Sequence, residues 1–265
     1  MGERDERSVH QQVQEQCGAV AAAYTVSAGH GDQVALQALV GLARVKPDAG
    51  VLDIATGAGH TALAFAPHVR EVVAYDLTQA MLAETAKNAT KRGLANVTTR
   101  QGPAEQLPFQ DGEFDVTVVR LASHHFADNR QAVREMARVT RHGGRVVIVD
   151  NYGPEDPALD AELQHIEKLR DPSHVRSYRL SVWRDTIRAA GLTLRKEVTD
   201  RYSESPRGMS FREWVRRSKT PADRVDELVR RFSNASVELR ALLKIESDGD
   251  DFWFTLPQVT LVCEH

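Results

Sequence analysis

The chain of 265 residues has little of what marks a disulfide scaffold, a membrane protein or a nucleic-acid binder. Its two cysteines, Cys17 and Cys263, are too few for a disulfide framework or a thiolate metal site. No apolar run approaches the ~18 residues of a membrane span, and the charged N-terminus lacks the apolar core of a signal peptide. A net charge of −3 leaves no basic footprint for nucleic acid. These absences predict a soluble, cytoplasmic protein without a membrane or nucleic-acid partner.

The chain does contain short apolar runs that alternate with segments of helical period between residues 50 and 150. Runs such as V-L-D-I-A and V-V-I-V-D are apolar throughout, which is typical of strands covered on both faces. The alternation therefore predicts an α/β fold with a mainly parallel, doubly wound sheet. Helices are expected at residues 13–24, 32–44, 61–66, 78–92, 129–141, 158–170 and 181–190, and strands at 51–55, 71–75, 96–101, 114–120, 144–150 and 192–199.

The C-terminal part of the chain has a different pattern. After residue 202 a polar, Arg-rich stretch continues to about residue 232, and its basic residues alternate with apolar ones. That alternation favours solvated faces of helices over a nucleic-acid surface. The last apolar run, F-W-F-T-L-P-Q-V-T-L-V-C, predicts one final strand.

A glycine loop follows the first strand and is bracketed by acids. Gly57 and Gly59 satisfy the dinucleotide pattern G-x-G-x-x-(G/A), and Asp76 lies about 20 residues further on. A plain tight turn is the alternative for the glycines alone. Asp53, however, would repel the pyrophosphate that such loops usually bind, whereas it would attract an ammonium or sulfonium group. S-Adenosylmethionine has both cations, no phosphate, and two ribose hydroxyls for Asp76, so the combination indicates this cofactor rather than NAD.

Four segments resemble the class I S-adenosylmethionine-dependent methyltransferase family, in the small-molecule branch near the ubiquinone/menaquinone C-methyltransferases. They are V-L-D-I-A-T-G-A-G-H, V-V-A-Y-D-L-T-Q-A-M-L, G-P-A-E-Q-L-P-F-Q-D-G-E-F-D-V and E-M-A-R-V-T-R-H-G-G-R-V-V-I-V-D. The resemblance covers about residues 12–150. It implies a single domain, 1–265, with a seven-stranded Rossmann-like sheet in the order 3-2-1-4-5-7-6. Its core would comprise residues 12–150, 181–202 and 252–265, and helical lid segments would lie at about 151–180 and 203–244.

The resemblance also implies a set of cofactor-binding residues, with two departures from the family pattern. Ala55 stands where many members have glycine, and Pro103 stands where an acid usually bonds the adenine amino group. Adenine would then depend on the backbone of Ala104, on Glu105, and on apolar packing from Leu77 and Met81. The full predicted set is Tyr24, Asp53, Ala55, Gly57, Gly59, Asp76, Leu77, Met81, Ala104, Glu105 and Arg120.

Two adjacent histidines, His124 and His125, are the candidate catalytic residues. In this fold the loop after the fourth strand lies beside the reacting methyl group, and imidazole titrates near neutral pH. Either ring could instead hydrogen-bond the backbone or pack around the cofactor. We favour His125 as the substrate-facing member, because His124 follows the strand more closely. A metal site is not expected, since neighbouring side chains diverge and no third ligand has a standard spacing.

The predicted function is methyl transfer from S-adenosylmethionine to an oxygen, nitrogen or carbon of a small organic acceptor. The alternative is a protein of the same fold that binds the cofactor for a non-methylating role, such as cyclisation or regulation, because both would keep the same cofactor residues. A nicotinamide dehydrogenase is disfavoured by Asp53 and by the lack of a Tyr-x-x-x-Lys pair. The expected oligomeric state is a monomer or a homodimer.

Overall fold

The computed structural model describes residues 8–18, 31–202 and 205–265, and a seven-stranded sheet lies at its centre. The strands run in the order β3-β2-β1-β4-β5-β10-β6, in which β10 pairs antiparallel with both of its neighbours and the other pairs are parallel. This is the predicted order, 3-2-1-4-5-7-6, with β10 as the seventh strand. The strands of this sheet are β1 (Gly50–Ile54), β2 (Glu71–Asp76), β3 (Val97–Gln101), β4 (Phe114–Arg120), β5 (Thr140–Asn151), β6 (Thr193–Tyr202) and β10 (Leu256–Glu264).

Ten helices connect or cover these strands in the described residues. None of them is long and apolar enough to cross a membrane. Aspartates cap several of them, as at Asp32, Asp128 and Asp156, because a carboxylate accepts from the free N–H groups of the first turn. The helices are α1 (residues 8–18), α2 (Gln33–Ala43), α3 (His60–Phe65), α4 (Gln79–Lys91), α5 (Asn129–Val139), α6 (Pro157–Arg170), α7 (Leu180–Ala189), α8 (Phe211–Arg217), α9 (Ala222–Ser233) and α10 (Val237–Leu243).

The first helix begins earlier than predicted. The expected range was 13–24, whereas α1 includes residues 8–12, which are mostly polar, and is described only to residue 18. The rest of the predicted helix lies outside the described residues. His10 Nε2 lies 3.2 Å from Glu105 Oε2, and this contact ties the first turn of the helix to the body of the protein.

Separate apolar clusters cover the two faces of the sheet. Leu52 and Ile54 of β1 join the cluster beneath α5 and α7, whereas Val51 joins the cluster beneath α2 and α3. This alternation follows from the two-residue period of a strand. The sheet is thus buried on both faces, and its C-terminal edge is where loops can form a site.

A third apolar cluster lies over that edge and is built from the two predicted lid segments. It includes Leu163 of α6, Trp214 of α8, Phe232 of α9 and Phe254, and Leu121 at the end of β4 packs against it. We call α6, α8–α10 and the strands among them the cap. The cap contains helices, as expected for the lid segments, and also an antiparallel sheet of β7 (Met209–Ser210), β9 (Phe252–Phe254) and β8 (Glu246–Ser247).

The last apolar run of the sequence therefore forms two strands rather than one. β9 belongs to the cap sheet and β10 to the main sheet, and Thr255 separates them. The backbone N–H of Thr255 donates to the carbonyl of Leu243, at the end of α10, over 2.7 Å. This contact takes the chain out of strand pairing for one residue and directs it from the cap into the core.

Candidate functional site

The glycine loop between β1 and α3 turns through three residues of positive φ. Ala55 has φ 52°, Gly57 has φ 57° and Gly59 has φ 89°. A Cβ on Gly59 would lie 2.8 Å from Cγ2 of Thr85, so this position requires glycine for both conformation and space. Ala55, in the position where the family often has glycine, adopts the left-handed conformation despite its side chain.

Asp53 lies behind this loop rather than on the surface that faces a ligand. Its Oδ2 accepts hydrogen bonds from Thr56 Oγ1 at 2.5 Å and from the Ala62 N–H at 2.9 Å. Burial raises the pKa of Asp53 to about 7, and these two hydrogen bonds oppose the rise. The carboxyl group therefore organises the loop and the start of α3. Its predicted attraction for a cationic ligand stays a prediction.

Asp76 ends β2 on the other side of the loop. Its Oδ2 accepts from the Gly57 N–H at 2.9 Å, and its Oδ1 accepts from the Thr78 N–H at 2.8 Å. Burial raises the pKa of Asp76, and these hydrogen bonds act in the opposite direction. Each carboxylate oxygen keeps a second lone pair. Asp76 can therefore accept hydrogen bonds from two neighbouring hydroxyl groups.

A cavity with about 940 Å³ of empty space lies in front of Asp76. We call it the cofactor cavity. Most of the predicted cofactor residues line it, whereas Asp53 and Gly59 do not, and Tyr24 lies outside the described residues. The predicted residues on its wall are Ala55, Gly57, Asp76, Leu77, Met81, Ala104, Glu105, Arg120 and His125.

Sequence reasoning missed one wall of this cavity. His10, Val13 and Cys17 of α1 line it, together with the start of α3 at Thr61 and residues of the loops around Gly102 and Phe126. The apolar face of α1 was a usable signal, but the pattern could not tell which surface the helix covers.

Glu105 joins α1 to the loop after β4. Its Oε1 accepts from the Ala127 N–H at 2.8 Å, and its Oε2 lies beside His10. Burial would raise the pKa of Glu105, but His10 and the backbone donors lower it overall. The carboxylate thus holds the cavity wall together, while its predicted contact with adenine stays a prediction.

The two histidines lie in a single turn of 3₁₀ helix, Ser123–His125, after β4. His124 Nδ1 is 2.7 Å from Asp150 Oδ1, and the His124 backbone N–H donates to Asp150 Oδ2 at 3.0 Å. Since a carboxylate only accepts, Nδ1 carries a proton, and in the neutral ring Nε2 is the atom that keeps a lone pair. Burial alone would lower the pKa of His124, but Asp150, Glu167 and Asp171 raise it above the ordinary value.

His125 has a different environment from its neighbour. Its Nδ1 donates to the backbone carbonyl of Ser173 at 3.1 Å, which again leaves Nε2 as the acceptor. Burial, and then the charge of His124, lower the pKa of His125 to about 4. The rings of His124 and His125 are 4.2 Å apart between centroids, and His174 adds a third ring 5.6 Å from His124. His125 is therefore a neutral imidazole at neutral pH.

A second cavity lies beyond the histidines and has about 430 Å³ of empty space. We call it the distal cavity. It shares Leu121 and His125 with the cofactor cavity, so the two cavities are neighbours. The core and the cap both contribute to its wall, which consists of Leu121, His124, His125, Asn151, Glu167, Arg170, Tyr202, Trp214, Arg217 and Leu256.

Comparison with known proteins identifies the family to which this chain belongs. A family model described as a methyltransferase domain matches residues 52–148. YcgJ of Bacillus subtilis (strain 168), described as an uncharacterized methyltransferase, is 40% identical over 228 residues, which cover 84% of this chain and 87% of YcgJ. The chain belongs to the class I S-adenosylmethionine-dependent methyltransferase family. The crystal structure of YcgJ superposes on this methyltransferase with a TM-score of 0.80 and 37% identity, covering 87% of this chain and 97% of YcgJ.

More distant relatives share a smaller part of the methyltransferase or only its fold. The ubiquinone/menaquinone biosynthesis C-methyltransferase UbiE of Ectopseudomonas mendocina (strain ymp) is 36% identical over 122 residues, which cover 44% of this chain and 48% of UbiE. The [4+2]-cyclase SpnF has a TM-score of 0.64 at 17% identity, with 88% of this chain and 80% of SpnF covered, and shows the fold alone. The predicted family, enzyme class and cofactor are confirmed.

The residues of the cofactor cavity fit S-adenosylmethionine. Asp76 would hold the ribose hydroxyls, Leu77 and Met81 would pack on the adenine, and Gly57, which has no side chain, leaves open space beside the loop. No group of three or more histidine, cysteine or carboxylate side chains in the described ranges is arranged to hold a metal ion.

Proposed function

We propose that this methyltransferase acts on a small organic acceptor bound in the distal cavity, with His124 as the general base. The observation that carries the proposal is the shared wall, since Leu121 and His125 line both cavities. An acceptor in the distal cavity would thus lie next to the cofactor cavity, with Leu121 and His125 at the boundary between the two. Small molecules suit this position because the cap and the core both enclose it.

When bound, S-adenosylmethionine supplies an electrophilic methyl group on a sulfonium. The glycine loop, Asp76 and Met81 hold and orient that molecule, and the cap limits the access of water. Orientation of two reactants in a closed pocket can supply much of the acceleration of a displacement reaction. His124 Nε2 accepts the proton of the acceptor, and Asp150 fixes the tautomer and stabilises the imidazolium that results.

This assignment reverses the preference for His125 in the sequence analysis. A base with a pKa of about 4 is weak, whereas the carboxylate of Asp150 makes His124 more basic. His125 would then act as a neutral hydrogen-bond acceptor that orients the substrate. Its contact with Ser173 holds the Nε2 atom in a constant position.

The experiment uses cofactor with a deuterated methyl group and two fractions of a bacterial extract, one of small molecules and one of macromolecules. We expect S-adenosylhomocysteine and one deuterium-labelled product from the small-molecule fraction only. Labelled protein or nucleic acid would contradict the small acceptor. Cofactor binding without any S-adenosylhomocysteine would favour the non-methylating alternative, the role that the cyclase SpnF illustrates for this fold.

The predicted cytoplasmic location and the monomeric or homodimeric state stay predictions. Light scattering of the purified protein would test the second of them, and a mass above that of two chains would contradict it.

A further inference from the structure

Three buried polar atoms on the wall of the distal cavity have no hydrogen-bond partner within the described residues. They are Glu167 Oε1, Arg170 Nε and Asn151 Oδ1. The first two belong to nearly inaccessible residues, since Glu167 is 4% exposed and Arg170 is 8% exposed. Buried charges are stable only when they are paired and hydrogen-bonded. These atoms therefore form a site whose own polar groups do not satisfy one another.

Glu167 and Arg170 project together because they lie three residues apart on α6. Side chains at i and i+3 share one face of a helix. This face of α6 and the histidine turn both line the distal cavity. The N–H of Val175 donates to the carbonyl of His124 at 2.8 Å, which joins the chain after α6 to that turn. The guanidinium of Arg170 lies over the ring of Trp214, with 5.1 Å to the centroid, and both residues line the cavity.

The charges that surround these two groups are of both signs. Glu167 interacts electrostatically with Arg170 and His124, which favour its ionised form, and with Asp171 and Asp150, which oppose it. Arg170 and Arg217 are cations on this wall and Glu167 is an anion, so an anion alone would leave Glu167 without a partner, and a lipid tail would satisfy none of these charges. The wall therefore suits a small ligand that carries both an anionic oxygen and a hydrogen-bond donor.

We propose that the acceptor is a small amino or hydroxy carboxylic acid. Its carboxylate pairs with Arg170, and its amino or hydroxyl group donates to Glu167 and Asn151, beside the Nε2 atom of His124. The ligand thereby provides the partners that the three buried atoms lack, and Glu167 and Arg170 select for it. This inference rests on the proposed function, because it concerns the acceptor of the same reaction.

The test measures binding to the protein saturated with S-adenosylhomocysteine, by isothermal titration calorimetry. The probes are the proteinogenic α-amino acids and their α-hydroxy analogues, each with the matched amine and the matched unsubstituted carboxylic acid. We expect at least one bifunctional probe to bind at least tenfold more tightly than both of its single-function analogues. Preferential binding of the single-function analogues, or of a lipophilic quinol, would overturn the proposal.

Two variants assign each half of the ligand to its residue. Arg170→Gln should weaken the binding of the bifunctional probe at least tenfold, so that this probe binds no more tightly than the matched amine. In Glu167→Gln, the bifunctional probe should bind no more tightly than the matched unsubstituted carboxylic acid. Glu162→Gln, on the same helix but outside the cavity, is the matched control and should bind the probe as the parent does.

The outcomes separate this proposal from the proposed function. If S-adenosylhomocysteine binds and no bifunctional probe is preferred, the acceptor class is wrong and the methyltransferase remains. If S-adenosylhomocysteine itself does not bind, the proposed function is wrong, whatever the class of the acceptor. If circular dichroism shows that Arg170→Gln does not fold, Arg170→Lys takes its place. Lysine keeps the positive charge but lacks the planar, two-pronged guanidinium, so this variant should bind the bifunctional probe more weakly than the parent. Unchanged binding in both folded variants would also overturn the proposal.

Discussion

Asp53 makes the stability of the ligand-free protein depend on pH. Its pKa is raised to about 7 by burial, whereas an aspartate in the unfolded chain titrates near 3.9. Between these values the folded protein holds a proton that the unfolded chain has lost, so the free energy of unfolding falls as the pH rises. The loss is at most about 1.4 kcal/mol per pH unit and ends above the folded pKa.

The variant Asp53→Asn isolates this effect, because the amide cannot ionise. We expect the parent to lose stability relative to Asp53→Asn from about pH 4 to about pH 7, as measured by urea unfolding at several pH values. The affinity for S-adenosylmethionine should change in the opposite sense, since its positive charge favours the ionised carboxyl group of the parent. Parallel pH profiles for the two proteins would mean that Asp53 keeps one charge state throughout.

His124 and Asp150 predict a second pH dependence, in the rate of methyl transfer. A histidine acts as a base only when it is neutral, so the rate should rise with pH through the pKa of His124. Asp150, Glu167 and Asp171 hold this pKa above the ordinary value, although burial acts to lower it. Asp150→Asn removes the nearest of these charges, and the rise should move to lower pH. His124→Gln should lower turnover by about 10²–10⁴-fold with little change in cofactor affinity.

His125→Gln is the matched control for this assignment. It should leave the pH of the rise nearly unchanged, because the pKa of His125, about 4, lies below the range of the assay. Nitrogen NMR of the imidazole rings gives a readout without substrate, and both rings should show protonated Nδ1 atoms at neutral pH. An unprotonated Nδ1 on His124 would contradict its role as a base that acts through Nε2.

At the scale of elements, the attachment of α6 to the core depends on one glycine. Gly153, after β5, lies where an added Cβ would be 2.6 Å from Asp160 Oδ1 and 2.8 Å from the Ser177 carbonyl. Asp160 is 2% exposed and is paired with Arg176 and with Arg179 Nε, the latter at 3.2 Å. Asp160 and these two arginines thus fasten α6 against the segment that precedes α7.

Gly153→Ala should therefore destabilise the protein by about 1–3 kcal/mol, the usual result of overpacking a filled site. Gly41→Ala is the matched control, since an added Cβ there meets nothing within 4 Å and the residue lies inside α2. That substitution should stabilise the helix by about 0.5–1 kcal/mol. Thermal unfolding of both variants measures the contrast, and equal effects would show that the Gly153 site has room to relax.

The elements that the sequence predicted correctly are those with a long periodic signal. The range 114–120 was predicted for β4 and is observed as Phe114–Arg120, because the strand is rich in β-branched residues and mostly buried. The strands β7 and β8 have two residues each and leave no period to detect. Their pairing with β9 depends on contacts across the chain, which a local pattern does not contain.

The same distinction applies to the candidate site. Gly57 and Asp76 were predicted because their roles depend on a local motif, and both line the cofactor cavity. Glu167 and Arg170 were missed, since α6 looks in sequence like a helix with an ordinary polar face. Only the fold shows that this face is turned inward, towards His124.

At the scale of the whole molecule, the tryptophans report on separate parts of the protein. Trp183 belongs to the cluster on one face of the main sheet, and Trp214 belongs to the cap cluster. Both are 1% exposed, so the fluorescence of each should change when its own surroundings unfold. Trp253, in the cap sheet, is partly exposed and can be replaced by phenylalanine to leave the other two as reporters.

The prediction of a single domain then becomes testable. Tyr202 of β6 and Leu256 of β10 belong to the cap cluster although their strands lie in the main sheet, so the cap and the core share structural elements. We expect Trp183 and Trp214, each observed in a variant without the other tryptophans, to report the same melting temperature as circular dichroism.

Phe232→Ala removes a fully buried ring from the cap cluster, which should lower the free energy of unfolding by about 3–5 kcal/mol. It should lower both transitions together by roughly 10 °C. A variant in which Trp214 melts early while Trp183 keeps the parent temperature would mean that the cap unfolds by itself, and the single-domain prediction would be wrong.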